Sequence, residues 1–405
     1  MKVVVQKFGG TSVRDTAGRK KAIEHIQTAI EQGFKVVVTV SAMGRKGDPY
    51  ATDTLLDLVG FPASNISSRE RDLLMSCGET ISSVVFSNEL KRAGIHAIAL
   101  TGGQAGFITN GDFTKAKITK MDSTRVEEEL NSHDVVVVAG FQGRSEENEI
   151  TTIGRGGSDT TAAALGAALQ ADFVDIFTDV EGIMTADPRI VDSARALDKV
   201  TYNDICNLAY QGAKVIHPRA VEIAMQAEVP IRVRSTYSLD EGTLVTSSRE
   251  SEAGKDIPDR LVTGIAHISG ITQIRVLAKE EPYQLQSEVF KSMAEAGISV
   301  DFINISPSGV VYTIEDLYTN RAVEILENLG YTPEVIRNCA KVSTVGAGMT
   351  GVPGVTAKIV HTLTEAGVQI LQSADSHTTI WVLIPQDDLV TAVNALHNVF
   401  ELDTE

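Results

Sequence analysis

The stretch from Thr151 to Leu169 limits this chain more than any other: Thr-Thr-Ile-Gly-Arg-Gly-Gly-Ser-Asp-Thr-Thr-Ala-Ala-Ala-Leu-Gly-Ala-Ala-Leu. Residues 151–153 read as the end of a strand. Gly154, Gly156 and Gly157 cannot continue it, and they reach backbone angles closed to other residues. Ser158 or Asp159 then caps a helix of Ala and Leu that runs to about Gln170. A strand, a glycine turn and a helix start bring backbone N–H groups together around an anion. Set into the turn are a cation (Arg155), a hydroxyl (Ser158) and a carboxylate (Asp159).

The same plan recurs along the first 235 residues. Residues 2–7 predict a strand, followed by Phe8-Gly9-Gly10-Thr11-Ser12 and a helix over 16–32. Lys7 adds a point charge beside that turn, although the P-loop spacing is absent. The β-branched run 35–40 predicts a strand buried on both faces, ending at Ser41-Ala42-Met43-Gly44. Residues 45–51 predict a mobile loop, Thr52-Asp53 a helix start, and 69–93 a long helix interrupted near Cys77-Gly78-Glu79. Further strands are expected at 96–100, 134–139, 173–178 and 230–234. Thr178-Asp179 follows one of them, then Thr185-Ala186-Asp187-Pro188-Arg189; Gly212-Ala213-Lys214 precedes another helix. Buried strands alternating with amphipathic helices define an α/β fold, whose ligands bind beyond the carboxyl ends of the strands.

At 405 residues, two to three domains are expected. The net charge of −17 argues against nucleic acid and anionic membrane as partners. No apolar run is long enough to span a bilayer. Cys77, Cys206 and Cys339 stand far apart and in no metal spacing, as expected of reduced thiols in a cytoplasmic protein; no protein-ligated structural metal is expected. A polar stretch near 247–258 marks a boundary. Beyond it Glu295-Ala296-Gly297-Ile298 recurs as Glu365-Ala366-Gly367-Val368, and Ala322-Val323 as Ala392-Val393, at one constant offset. Each copy reads as a small ferredoxin-like βαββαβ unit, and such sheets pair edge to edge or face to face. The Gly346-Ala347-Gly348-Met349-Thr350-Gly351 run fits a dinucleotide fingerprint, but too little chain follows it for a Rossmann sheet.

Collected, Lys7, Ser41, Arg189 and Lys214 are donors suited to phosphate. Glu79, Asp159 and Asp179 suit Mg²⁺, a ribose or an amino group. Arg155 suits a carboxylate, which its planar fork binds bidentately. Phosphoryl transfer needs this inventory. A carboxylate acceptor needs no general base, being ionised at neutral pH.

These motifs, with Gly78-Glu79, resemble the aspartate kinase family over the whole chain, and in detail its diaminopimelate-sensitive isozymes. The resemblance implies an amino-acid-kinase three-layer sandwich with a mostly parallel sheet over residues 1–246. It also implies a linker at 247–262 and two ACT units at 263–340 and 341–405. The implied reaction moves the γ-phosphate of ATP, with Mg²⁺, to the β-carboxylate of L-aspartate. Lys7 and Asp159 would be catalytic, Asp159 orienting Lys7 or the metal shell. Thr52, Glu79, Arg155 and Ser158 would hold aspartate, Glu79 its ammonium and Arg155 its α-carboxylate. ATP would meet Lys7, Phe8, Gly9, Gly10, Ser41, Thr178, Asp179, Arg189 and Lys214. An amino-acid effector, meso-diaminopimelate by the isozyme likeness, would meet Glu281, Gln284, Ser299, Asp301, Val355, Thr356, Gln369 and Ile370. A homo-oligomer is expected. The competing classes are a kinase of another acid such as glutamate, a non-catalytic amino-acid sensor and a dinucleotide oxidoreductase.

Overall fold

The computed structural model describes residues 2–213, 215–247, 261–278, 282–349 and 351–404. They fall into two compact units. Among the described residues the first takes in 2–183, 196–209 and 215–247, and the second 184–195, 210–213 and those from 261 onward.

The first unit is built on an eight-stranded sheet. Its order is Lys199–Thr201, Thr243–Thr246, Ile231–Ser235, Phe173–Thr178, Val3–Phe8, Lys35–Val40, Val135–Ala139, Ala97–Leu100. Val3–Phe8 lies parallel to both neighbours, with Lys7 beside Thr39 on one side and Ile176 on the other. The pairing of Ile231–Ser235 with Thr243–Thr246 is antiparallel. Val36, Val37 and Val38, like Val135 to Val138, have no exposed surface. Burial on both faces is why these strands read as unbroken β-branched runs. The strand Thr243–Thr246 extends the sheet beyond the 230–234 strand expected to close it.

A second, four-stranded sheet was not foreseen: Ile118–Met121, Phe107–Thr109, Gln142–Ser145 and Ile150–Thr152. Its strands are three or four residues long, too short to show a period. It delivers the chain into the 154–159 turn.

The helix Ser68–Arg92 runs without the predicted interruption at Gly78. A capping box of Ser67 and Glu70 starts it. Gly78 serves close approach instead of a break. A Cβ there would lie 2.8 Å from Ala42 Cβ and 3.1 Å from the Tyr50 carbonyl.

In the second unit the two repeats share one six-stranded sheet, ordered Asp301–Ser306, Gly309–Glu315, Gly264–Leu277, Glu334–Val345, Thr379–Pro385, Gln372–Asp375. Of the two pairings expected, edge to edge and face to face, this is the first, but the repeats interleave. The far half of Gly264–Leu277 pairs with Gly309–Glu315 as first strand of the first repeat. Its near half pairs with Lys341 to Val345, in the closing-strand place of the second repeat. A tandem of 263–340 followed by 341–405 therefore does not describe the strand pairing. A β-bulge around Ser269 to Ile271 separates the two halves. Each repeat keeps its own core, around Tyr312 and Leu326 in one and Val382 and Leu396 in the other.

Candidate active site

The site grows from the carboxyl ends of the strands of the first unit. Lys7 is the penultimate residue of Val3–Phe8, and its Nζ lies 2.8 Å from Asp159 Oδ1, both side chains being about seven-eighths buried. Asp159 stands in the first turn of the helix Gly157–Ala168, where the helix dipole favours an anion. The backbone N–H of His217 donates to its other oxygen at 3.2 Å.

Neither Ser158 nor Asp159 caps that helix. The cap is Gly156, at φ +70°, in the left-handed region that glycine tolerates best. A Cβ on Gly156 would lie 2.1 Å from the His217 ring. The helix thus starts earlier than predicted, and both side chains are left to face the site.

A hollow of about 900 Å³ opens here. Its lining brings together Lys7, Gly10, Ser41, Thr52, Glu79, Arg155, Ser158 and Asp159, which the sequence had scattered over more than 150 positions. Glu79 is 3% exposed and accepts a hydrogen bond from the Ala42 N–H at 3.1 Å, while its Oε2 has no partner. Burial pushes its pKa up from 4.5 to about 8, against the pull of the Ala42 N–H. A buried carboxylate oxygen aimed at a hollow calls for a cationic ligand group.

The nucleotide residues are less gathered. The Phe8 ring is fully buried and stacked on Phe177 at 4.6 Å, so its side chain belongs to the core and only its backbone could meet a ligand. Gly9, Thr178 and Asp179 do not line the hollow. Thr178 donates to Asp179, which also pairs with Arg45 at 3.3 Å. Arg189 belongs to the second unit and is held by Asp187 through its Nη2 at 2.6 Å. Lys214 lies outside the described residues. The 45–51 loop is tied down: Arg45 N–H donates to Asp48, Gly47 N–H to Thr54, and Arg14 pairs with Asp48.

Several site residues carried no signal in sequence. His217 contributes through its backbone, and Arg71, Met75, Thr114 and Phe141 line the hollow.

The effector residues divide. Gln369 and Ile370 line a cavity of about 420 Å³, with Gln273, Arg275 and Glu334. Val355 and Thr356 line another of about 560 Å³, with Asp375 and His377. Asp301 pairs with the buried Lys341 at 2.6 Å, and Gln284 with Glu288. Ser299 lines neither cavity, and Glu281 lies outside the described residues.

A parallel sheet with a cation, a paired carboxylate and a glycine turn at one rim defines the amino acid kinase class. The profile of the amino acid kinase family matches residues 2–235, and an ACT domain profile matches 334–398. The chain belongs to the aspartokinase branch of that family. It is 65% identical to aspartokinase 1 of Bacillus subtilis, over 99% of this chain and all of the relative. Its fold is similar to E. coli aspartokinase III in complex with aspartate and ADP, with TM-score 0.79, 26% identity, and 98% and 99% of the two chains covered. The same enzyme in complex with lysine and aspartate gives TM-score 0.76 at 26% identity, with the same coverage.

Proposed function

We propose that this chain transfers the γ-phosphate of ATP to the β-carboxylate of L-aspartate, giving 4-phospho-L-aspartate and ADP. The observation that carries the reading is the hollow at the Lys7–Asp159 pair, which also holds one cationic fork, Arg155, and one unsatisfied buried carboxylate, Glu79. Those groups suit the α-carboxylate and the ammonium of an amino acid. Binding both ends of the backbone leaves the side-chain carboxylate as the free nucleophile.

A β-carboxylate oxygen forms the new bond to the γ-phosphorus, and the bond from that phosphorus to the bridging oxygen breaks, its electron pair leaving on ADP. No proton need move, because the acceptor is ionised already. Lys7 neutralises charge on the transferring group, and Asp159 keeps its ammonium in place. Ser41, Gly9 and Gly10 offer donors to the phosphates, with Lys214 as a further cation; Thr52 and Ser158 support aspartate. Thr178 and Asp179 face the nucleoside. Mg²⁺ would join the phosphates at this site with Asp159, the carboxylate of the helix start that lines the hollow, beside it, and would supply charge neutralisation.

In the second unit an amino acid, with meso-diaminopimelate as the choice, acts as effector. Gln369, Ile370, Val355 and Thr356, each lining a cavity, support that reading. The chain works as a homo-oligomer; the edge strand Asp301–Ser306, with Ile303 and Ile305 about half exposed, supports this.

The test is ATP turnover with aspartate, glutamate and carbamate as acceptors. Turnover with aspartate alone is expected, and activity confined to glutamate would overturn the assignment. Calorimetric titration with lysine, threonine and meso-diaminopimelate identifies the effector.

A further inference from the structure

Asp72 has no exposed surface, yet it is a carboxylate. Its oxygens are satisfied by donors from two separate segments. Thr152 gives its N–H at 2.8 Å to Oδ2 and its hydroxyl at 2.7 Å to Oδ1, and Thr114 gives its N–H at 2.9 Å to Oδ2. Burial pushes its pKa up, while the three bonds pull it back. Burying a carboxylate is costly, so what the bonds hold matters. Thr152 ends the strand that leads straight into Gly154 and Arg155. Thr114 sits at φ +71°, a conformation rare for a β-branched residue. Thr114, Gly154 and Arg155 all line the hollow.

The helix that carries Asp72 lines the same hollow through Arg71, Met75 and Glu79. Residues 72 and 79 are about two turns apart and so lie nearly in line along it. Glu79 faces the hollow and Asp72 grips the strand that brings Arg155 to it. We infer that Asp72 is a positioning residue for aspartate, fixing the span between Glu79 and Arg155. The inference rests on the proposed roles of those two groups at opposite ends of the substrate backbone. A change in the span weakens the grip on the amino acid and leaves the nucleotide side alone.

The experiment uses the full chain with Thr152→Val, Thr152→Ser and Asp72→Asn, with steady-state kinetics in aspartate and in ATP and a thermal melt for each. Thr152→Val removes one bond to Asp72 and keeps the shape. It is expected to raise KM for aspartate roughly five- to tenfold with KM for ATP within about twofold. Thr152→Ser restores the hydroxyl and is expected to return KM for aspartate near to that of the unaltered chain. Asp72→Asn keeps one oxygen for the two backbone N–H groups and can turn its NH2 to the Thr152 hydroxyl, but it loses the charge that strengthens these bonds, and is expected to raise KM for aspartate and to lower Tm. If Thr152→Val leaves KM for aspartate unchanged, or raises both KM values together, or if serine fails to rescue, the positioning role is wrong. An unaltered chain without aspartate kinase activity would instead sink the functional reading itself.

Discussion

Substituting Glu79 with glutamine should make the protein more stable and a poorer binder of aspartate, each by an amount set by pH. Glu79 keeps its proton to about pH 8 in the folded chain, against an ordinary value of 4.5. Between those values the unfolded chain has lost this proton and the folded chain still holds it. Stability therefore falls as pH rises from 4.5 to 8 and levels off above. At about 1.4 kcal/mol per unit, the upper limit of that loss is about 5 kcal/mol. Glutamine has no such titration, so Glu79→Gln should gain on the unaltered chain as pH rises, and by most at pH 8 and above.

Binding runs the other way. At pH 7 roughly one Glu79 in ten is ionised, and the ammonium of aspartate calls for the ionised form. The KM for aspartate of the unaltered chain should then fall about tenfold per pH unit below about pH 8 and flatten above it. Removing one partner of a buried charge pair costs about 3 kcal/mol, or roughly a hundredfold in KM at pH 8. The assays are KM for aspartate from pH 6.5 to 8.5 and denaturant melts at pH 5 and pH 8. A pH slope that survives in Glu79→Gln, or a variant no more stable at pH 8 than the unaltered chain, would refute the reasoning.

Lys7→Ala and Asp159→Asn should each lower kcat by about two to three orders of magnitude, as expected for loss of a preorganised charge at the transferring group; a double variant no worse than either single one would show that the pair acts as a unit. Gly156→Ala places a methyl group against the His217 ring at an unfavourable φ and should cost about 2 kcal/mol or more in stability, read by denaturant melts, with turnover falling as well. Phe8→Leu should lower Tm through the lost stack on Phe177 while KM for ATP stays within about twofold, which separates a core role from a nucleotide role for that side chain.

The sequence exposed those parts of the fold that obey a period or a turn rule. The valine runs at 35–40 and 135–139 announced central strands because both their faces are buried. Lys7, Arg155 and Asp159 stood out because each lies within two residues of glycines at a strand end. The reading failed where a residue's reason lies in a distant neighbour. Gly78 looked like a helix break, but its purpose is set by Ala42 and Tyr50. Phe8, next to two glycines, looked like a ligand contact, but Phe177 claims it. His217 acts through its N–H, which every residue but proline has, so no side-chain pattern could mark it. Asp72 drew no reading in sequence, because its partners Thr114 and Thr152 come from distant segments.

The fourteen-residue strand Gly264–Leu277 has consequences for how the second unit responds to a ligand. One length of backbone is the first strand of one repeat and the closing strand of the other. A pull on either end is felt at the other through covalent bonds, softened where the irregularities between Ser269 and Gln273 let it bend. Neither repeat can melt or be cut away without unravelling its neighbour's edge, so the pair should lose structure in a single step. An amino acid settling on one repeat would accordingly stiffen both.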